Sequence, residues 1–260
     1  MKKPLIAVIV VAVLIALIAV LLPGEEPELR LYAGAGLRRA VHAAVAAFHE
    51  QTGIKVVPDY GGSGLMITRA REDDTADLFL PGDVWYVDRY EKLTGRKTER
   101  APVAYFIPTL IVAKDNPKNI TGLADLTKPG VTVGLGKADA CQVGRISARI
   151  LRNAGVEPAD LETQESLTVN ELGVWVQTNA VDAAIVWDAI AANIADDVET
   201  IPIPPEHNII SRVVLAILPT TTRRADARKF LEFLSAPHGQ TILENNGFRT
   251  DLPEGYQAER

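Results

Sequence analysis

From Leu5 to Leu22 every position is apolar, with Lys2 and Lys3 before the run and Pro23-Gly24-Glu25-Glu26-Pro27 after it. As a helix this segment would span about 27 Å, close to the hydrocarbon thickness of a bilayer. Lysines on the leading side keep that end in the cytoplasm, so the rest of the chain is expected outside. The run is long for a cleaved signal, and no A-x-A pattern stands at its exit, which favours an uncleaved anchor over a signal peptide.

Beyond the linker the period of the pattern changes. Leu29 to Gly34 predicts a strand, and Leu37, Ala40, Val41, Ala44, Val45 and Phe48 follow at the spacing of one helix face. Gly53 stands where that helix should stop. Lys55 to Asp59 predicts a second strand, with a glycine-rich turn and a helix through Glu72. Ala76 to Leu80 predicts a third strand, with Pro81-Gly82-Asp83 opening a helix through Leu93. This βαβαβ rhythm implies a parallel sheet covered by helices.

An apolar segment of another kind, Pro108 to Lys114, precedes a restart of the rhythm. Strands are predicted over Val131–Leu135 and Ala183–Trp187, with helices over Gly144–Asn153 and Val169–Thr178. A further strand, Val213–Leu218, leads to two helices. Ala227, Phe230, Leu231 and Leu234 line one face of the first, and the second runs from His238 to Asn246. About 235 residues lie beyond the linker, comfortable for two lobes. The expected division is 1–27 as signal peptide or membrane anchor with linker, 28–105 and 212–260 as lobe 1, and 106–211 as lobe 2. Two crossings, near Tyr105 and Ser211, would form a double hinge. A ligand cleft belongs between the lobes, at the carboxyl ends of the strands.

The net charge of −6 argues against a nucleic-acid partner. The single cysteine, Cys141, can form no internal disulfide and reads as a packed thiol. The four histidines have no metal-ligand spacing; His42 and His49 read as packing or solvated residues, and no metal or cofactor is expected. Gly61-Gly62-Ser63-Gly64 is not a nucleophile elbow, and Gly34-x-Gly36 lacks the rest of a dinucleotide fingerprint. Asp83 reads as a helix cap and Asp77 as structural.

One local event repeats: a strand ends in small residues and a helix begins. It occurs at Ala33–Gly36, Gly61–Gly64, Pro81–Asp83, Gln142–Gly144 and Thr168–Asn170. Helix starts offer unbonded backbone N–H groups and partial positive charge, and small residues let an anion approach them. Several such starts at one cleft would bind an oxyanion without a cationic side chain.

These segments carry a resemblance. L-Y-A-G-A-G-L, Y-G-G-S-G, A-D-L-F-L-P-G-D, A-C-Q-V-G-R, V-D-A-A-I-V-W and the closing A-R-K-F-L-E-F-L-S-A-P-H-G-Q-T-I-L-E-N-N-G-F stand in the order and spacing of a known family. From Leu29 to Arg249 the chain resembles the molybdate/tungstate-binding extracytoplasmic solute-binding proteins of ABC transporters. The resemblance implies a two-lobe α/β fold of the type II periplasmic-binding class, each lobe a mostly parallel sheet, joined by a two-strand hinge. It implies a non-enzymatic, monomeric protein that captures molybdate or tungstate and serves an ABC permease. The site carried over by position comprises Gly36, where the family has serine, Ser63, and the backbone N–H groups of Gly82, Val143 and Val169. Trp187 replaces the family's tyrosine, and Asp188 is a further candidate beside it. Glycine at 36 is expected to leave room for the larger oxyanions. Alternatives are sulfate, phosphate or a ferric complex, or an anchored ligand-sensing domain; an enzyme fits least.

Overall fold

The computed structural model describes residues 28–252 together with Glu254 and Tyr256. The apolar segment 5–22 and its linker lie outside the described residues, and among the described ones no helix is long and apolar enough to cross a membrane.

The first sheet begins with β1 (Glu28–Gly34), β2 (Lys55–Gly61) and β3 (Leu78–Leu80), which run parallel. Helices α1 (Arg38–Thr52), α2 (Ser63–Glu72) and α3 (Val84–Thr94) follow those strands in turn. In α1 the apolar stripe is buried at Ala40, Val41, Ala44 and Phe48, and Gly53 ends the helix in the left-handed region at φ 70°. Chain direction then changes. β4 (Glu99–Phe106) is the last strand before the chain crosses over, and β10 (Ser211–Ile217) returns and inserts antiparallel between β3 and β4. The order is β2-β1-β3-β10-β4.

The second sheet has the order β7-β6-β8-β5-β9. It consists of β5 (Pro108–Ala113), β6 (Thr132–Gly136), β7 (Glu162–Ser166), β8 (Ala183–Trp187) and β9 (Val198–Ile201). Here β6, β7 and β8 are parallel, whereas β5 is antiparallel to β8 and β9. Helices α4 (Gln142–Asn153), α5 (Val169–Gln177) and α6 (Asp188–Asn193) flank it.

Both sheets are therefore mixed. The reason is geometric: β5 and β10 each enter from the other lobe, at the end of the sheet where the parallel strands finish, so each must run back. Pro108 pairs with Trp187, and Ser211 with Phe106. The chain ends on the first lobe. α7 (Arg224–Ser235) and α8 (Pro237–Asn245) pack beside α1, where Phe48 meets Phe230 and Phe233 at ring-centroid distances of 5.0 and 5.4 Å. Sheets, helices and both crossings thus converge the strand ends on one interlobe cleft.

Candidate functional site

The starts of α2, α4 and α5 converge on this cleft, with Gly34, Ala35 and Gly36 at the end of β1 facing them. Together with Gly61, Gly82, Phe106, Thr168 and Trp187 they line one small cavity. Its volume open to the centre of a water molecule is about 20 Å³, little more than one water needs. No charged side chain lines it. A first-turn N–H has no carbonyl one turn back to bond, so Ser63, Val143 and Val169 bring backbone donors to the cavity wall.

Ser63 is 3% exposed. Its Oγ accepts the Gly82 N–H at 3.0 Å. That bond occupies a lone pair of the hydroxyl and leaves its hydrogen to be donated elsewhere. Gly82 differs from expectation in this respect: its N–H is spent on Ser63 and braces the hydroxyl. Next to it Asp83 caps α3, its Oδ1 accepting the Trp85 N–H at 2.8 Å, as expected. Asp77 is structural, accepting the Arg30 N–H at 2.8 Å.

The walls meet closely across the cleft. Gly64 N–H donates to the Ala140 carbonyl at 2.9 Å. A Cβ on Gly62 or Gly64 would clash with the backbone carbonyls of residues 139 and 140, so this approach requires glycine. Arg39 donates to Asn193 Oδ1 at 2.6 Å and Gln142 Nε2 to Ser211 Oγ at 2.8 Å. Arg145 lies 3.7 Å from Asp83 Oδ1 and 4.8 Å from the Trp85 ring centre.

Gly36 is the second departure from expectation. The space above it is not left to a ligand. A Cβ there would stand 3.1 Å from Trp187 Cδ1, 3.2 Å from Trp187 Nε1 and 3.1 Å from Val169 Cγ1. Trp187 is 2% exposed and stacks on Phe106 with centroids 4.4 Å apart and planes 2° apart. Its ring supplies an apolar wall and a single N–H donor.

Asp188 is the third. It lies next to Trp187 but outside the lining of the cavity. Its N–H donates to the Ile107 carbonyl at 2.8 Å, on the crossing into β5, and its Oδ1 accepts the Ala189 N–H at 2.9 Å. Burial raises its carboxyl to about 6, opposed by the backbone N–H groups of Ala189 and Ile107 and by Arg249. So Gly36, Ser63, Gly82, Val143, Val169 and Trp187 come together at one cavity, and Asp188 stands behind it.

Sequence reasoning missed Phe106 and Gln142. Phe106 sits at the expected crossing, and Gln142 sits inside the quoted A-C-Q-V-G-R segment. The amide of Gln142 is engaged, donating to Ser211 and accepting from Arg145 Nε at 2.9 Å. Cys141 is buried at the start of α4, and burial pushes its thiol up to about 11. His42 is exposed, its ring 6.2 Å from that of Tyr60. Among the described residues no cluster of His, Cys, Asp and Glu is fit to hold a metal ion.

Residues 29–249 match the family profile described as bacterial extracellular solute-binding protein. The molybdate-binding protein ModA of Mycobacterium tuberculosis is 30% identical over 203 residues, covering 75% of this chain and 74% of that protein. Among solved structures, the sulfate-binding protein SubI of Mycobacterium tuberculosis is similar with a TM-score of 0.75 at 19% identity, over 88% of this chain and 88% of that one. The periplasmic molybdate-binding protein of Azotobacter vinelandii gives a TM-score of 0.72 at 18% identity, over 87% of this chain and 100% of that one. At such identities the two structures bear on the fold alone, and they share its two-lobe α/β arrangement. The profile spans both sheets and every residue of the cavity, so this chain belongs to the family of bacterial extracellular solute-binding proteins.

Proposed function

We propose that the protein captures a small, fully ionised tetrahedral oxyanion, molybdate or tungstate, outside the cytoplasm and delivers it to the permease of an ABC importer. The observation that carries this reading is the cavity itself: backbone N–H groups and the Ser63 hydroxyl, with no charged side chain in its lining. A dianion buried there is met by donors alone, each charge-assisted hydrogen bond contributing roughly 1.5–3 kcal/mol. A ligand oxygen that keeps its proton would set O–H against N–H, so singly protonated phosphate is disfavoured. The 30% identity to a molybdate-binding protein supports molybdate within this class.

In this reading the ligand is bound and released unchanged, by a monomer. Lobe 1, which runs to Phe106 at the end of β4 and resumes at Ser211 at the start of β10, and lobe 2 between them close about the two crossings at residue 107 and at 202–210. Residues 5–22 serve as signal peptide or anchor. A second reading, sulfate, is favoured by one observation: Trp187 fills the room above Gly36 and keeps the cavity small. Calorimetric titration of residues 28–260 with molybdate, tungstate, sulfate and phosphate separates the two. We expect molybdate and tungstate to bind at least about 100-fold tighter than sulfate or phosphate, a difference of about 2.7 kcal/mol. Equal or tighter sulfate binding overturns the molybdate reading and leaves the oxyanion class. No binding of any of the four overturns the class.

A further inference from the structure

We infer that Trp187 helps to hold the two lobes closed and sets the size of the cavity, and that Gly36 is the space built to receive it. Trp187 belongs to the second sheet, at the end of β8, yet its ring lies against residues of the first lobe. On one face it stacks on Phe106 of β4, with ring planes 2° from parallel and centroids 4.4 Å apart. At its pyrrole edge it meets the backbone of Gly36, where Cδ1 and Nε1 stand 3.1 and 3.2 Å from the position of a Cβ. Contacts that short are tolerated only if the neighbour withdraws. Trp187 cannot withdraw far, because Phe106 blocks it on one side and the ring is 2% exposed. Val169, the other neighbour of the missing Cβ, also belongs to the second lobe. A side chain at position 36 therefore presses on the second lobe twice, and separation of the lobes is the way to relieve it.

The inference deepens the binding reading, and rests on it for one of two readouts. The other is independent of the ligand. Small-angle scattering measures the compactness of the lobes with and without molybdate and sulfate, and calorimetry measures affinity for the same two anions. Gly36→Ala should enlarge the radius of gyration and weaken binding roughly tenfold or more, the lower range of overpacking a fixed wall. Trp187→Ala should do the same by removing the stack. The double variant Gly36→Ala/Trp187→Ala should be no worse than Trp187→Ala alone, because the clash has gone. Trp187→Leu keeps apolar bulk that can turn aside, and should restore most of what Gly36→Ala loses if Trp187→Ala folds poorly by circular dichroism. Unchanged compactness and affinity in Gly36→Ala, or additive losses in the double variant, overturn the inference. If the native protein binds neither anion, the ligand reading fails by itself and scattering alone decides this one.

Discussion

Ser63→Ala tests two roles of one hydroxyl, and they are separable. Ser63 Oγ is the acceptor for the Gly82 N–H at 3.0 Å, in a residue only 3% exposed. Alanine leaves that N–H without its acceptor in a buried place, which costs about 1–3 kcal/mol of folding stability. In the proposed oxyanion reading the same change deletes a donor to the ligand, a further loss of ~1.5–3 kcal/mol in binding, or roughly 10- to 150-fold in Kd. Urea unfolding without ligand reads the first number, and calorimetry with molybdate reads the second. Both should move. A lower unfolding midpoint with unchanged Kd would reduce Ser63 to a brace for Gly82 and remove it from the ligand's shell. A weaker Kd with unchanged stability would mean that the bond to Gly82 contributes nothing to folding.

Further outcomes follow from groups around the cavity. Asp188, with its carboxyl raised to about 6 by burial, binds its proton more tightly folded than unfolded, so the protein should gain stability relative to Asp188→Asn as pH falls from about 7 toward 4.5, by about 2 kcal/mol; a flat difference in urea midpoints across that range refutes the burial of its charge. Cys141, pushed up to about 11, carries roughly one thiolate in a thousand at pH 8, so it should react with an aromatic disulfide reagent far more slowly than a free thiol. Rapid reaction would mean that α4 frays in solution. Asp83→Ala removes the cap of α3 and should lower stability by about 1 kcal/mol or more, measured by thermal unfolding; Asp83→Asn should keep most of the cap but lose the charge facing Arg145 across the cleft.

The parts of the fold legible in the sequence are those buried on one or both faces. The α1 stripe, the Gly53 stop and the strand Ala183–Trp187 all reappear where the pattern put them. Three strands escaped: β4, β7 and β9. Each is an edge strand of its sheet. β7 reads Glu-Thr-Gln-Glu-Ser and buries only its last residue, and β4 carries Pro102, which an edge tolerates and a centre does not. β7 and β9 expose most of their residues and give periodicity little to detect, whereas β4 buries Val103, Ala104 and Phe106 behind an irregular alternation that Pro102 interrupts. α6 was also missed, because six residues are too few for a helical period to register. At the site, the repeated small-residue turns marked the helix starts that gather at the cavity. Sequence spacing did not reveal what those glycines face. Gly36 and Trp187 lie far apart along the chain, and only their meeting across the cleft explains both.

That meeting changes how the missing hydroxyls should be counted. Taken singly, the glycine and tryptophan that stand where the resembled family has serine and tyrosine are, in the proposed oxyanion site, two lost donors. Taken together they are one exchange. The indole returns an N–H, which is a donor without being an acceptor, and so keeps the wall unfit for a protonated oxyanion. Its ring removes water from one side of the cavity, where each remaining hydrogen bond to a charge becomes stronger. Stacked on Phe106 at 4.4 Å, it also does so on a support from the opposite lobe, so the wall is complete only when the cleft is shut. Affinity in such a site depends less on how many hydroxyls face the ligand than on how completely closure excludes water.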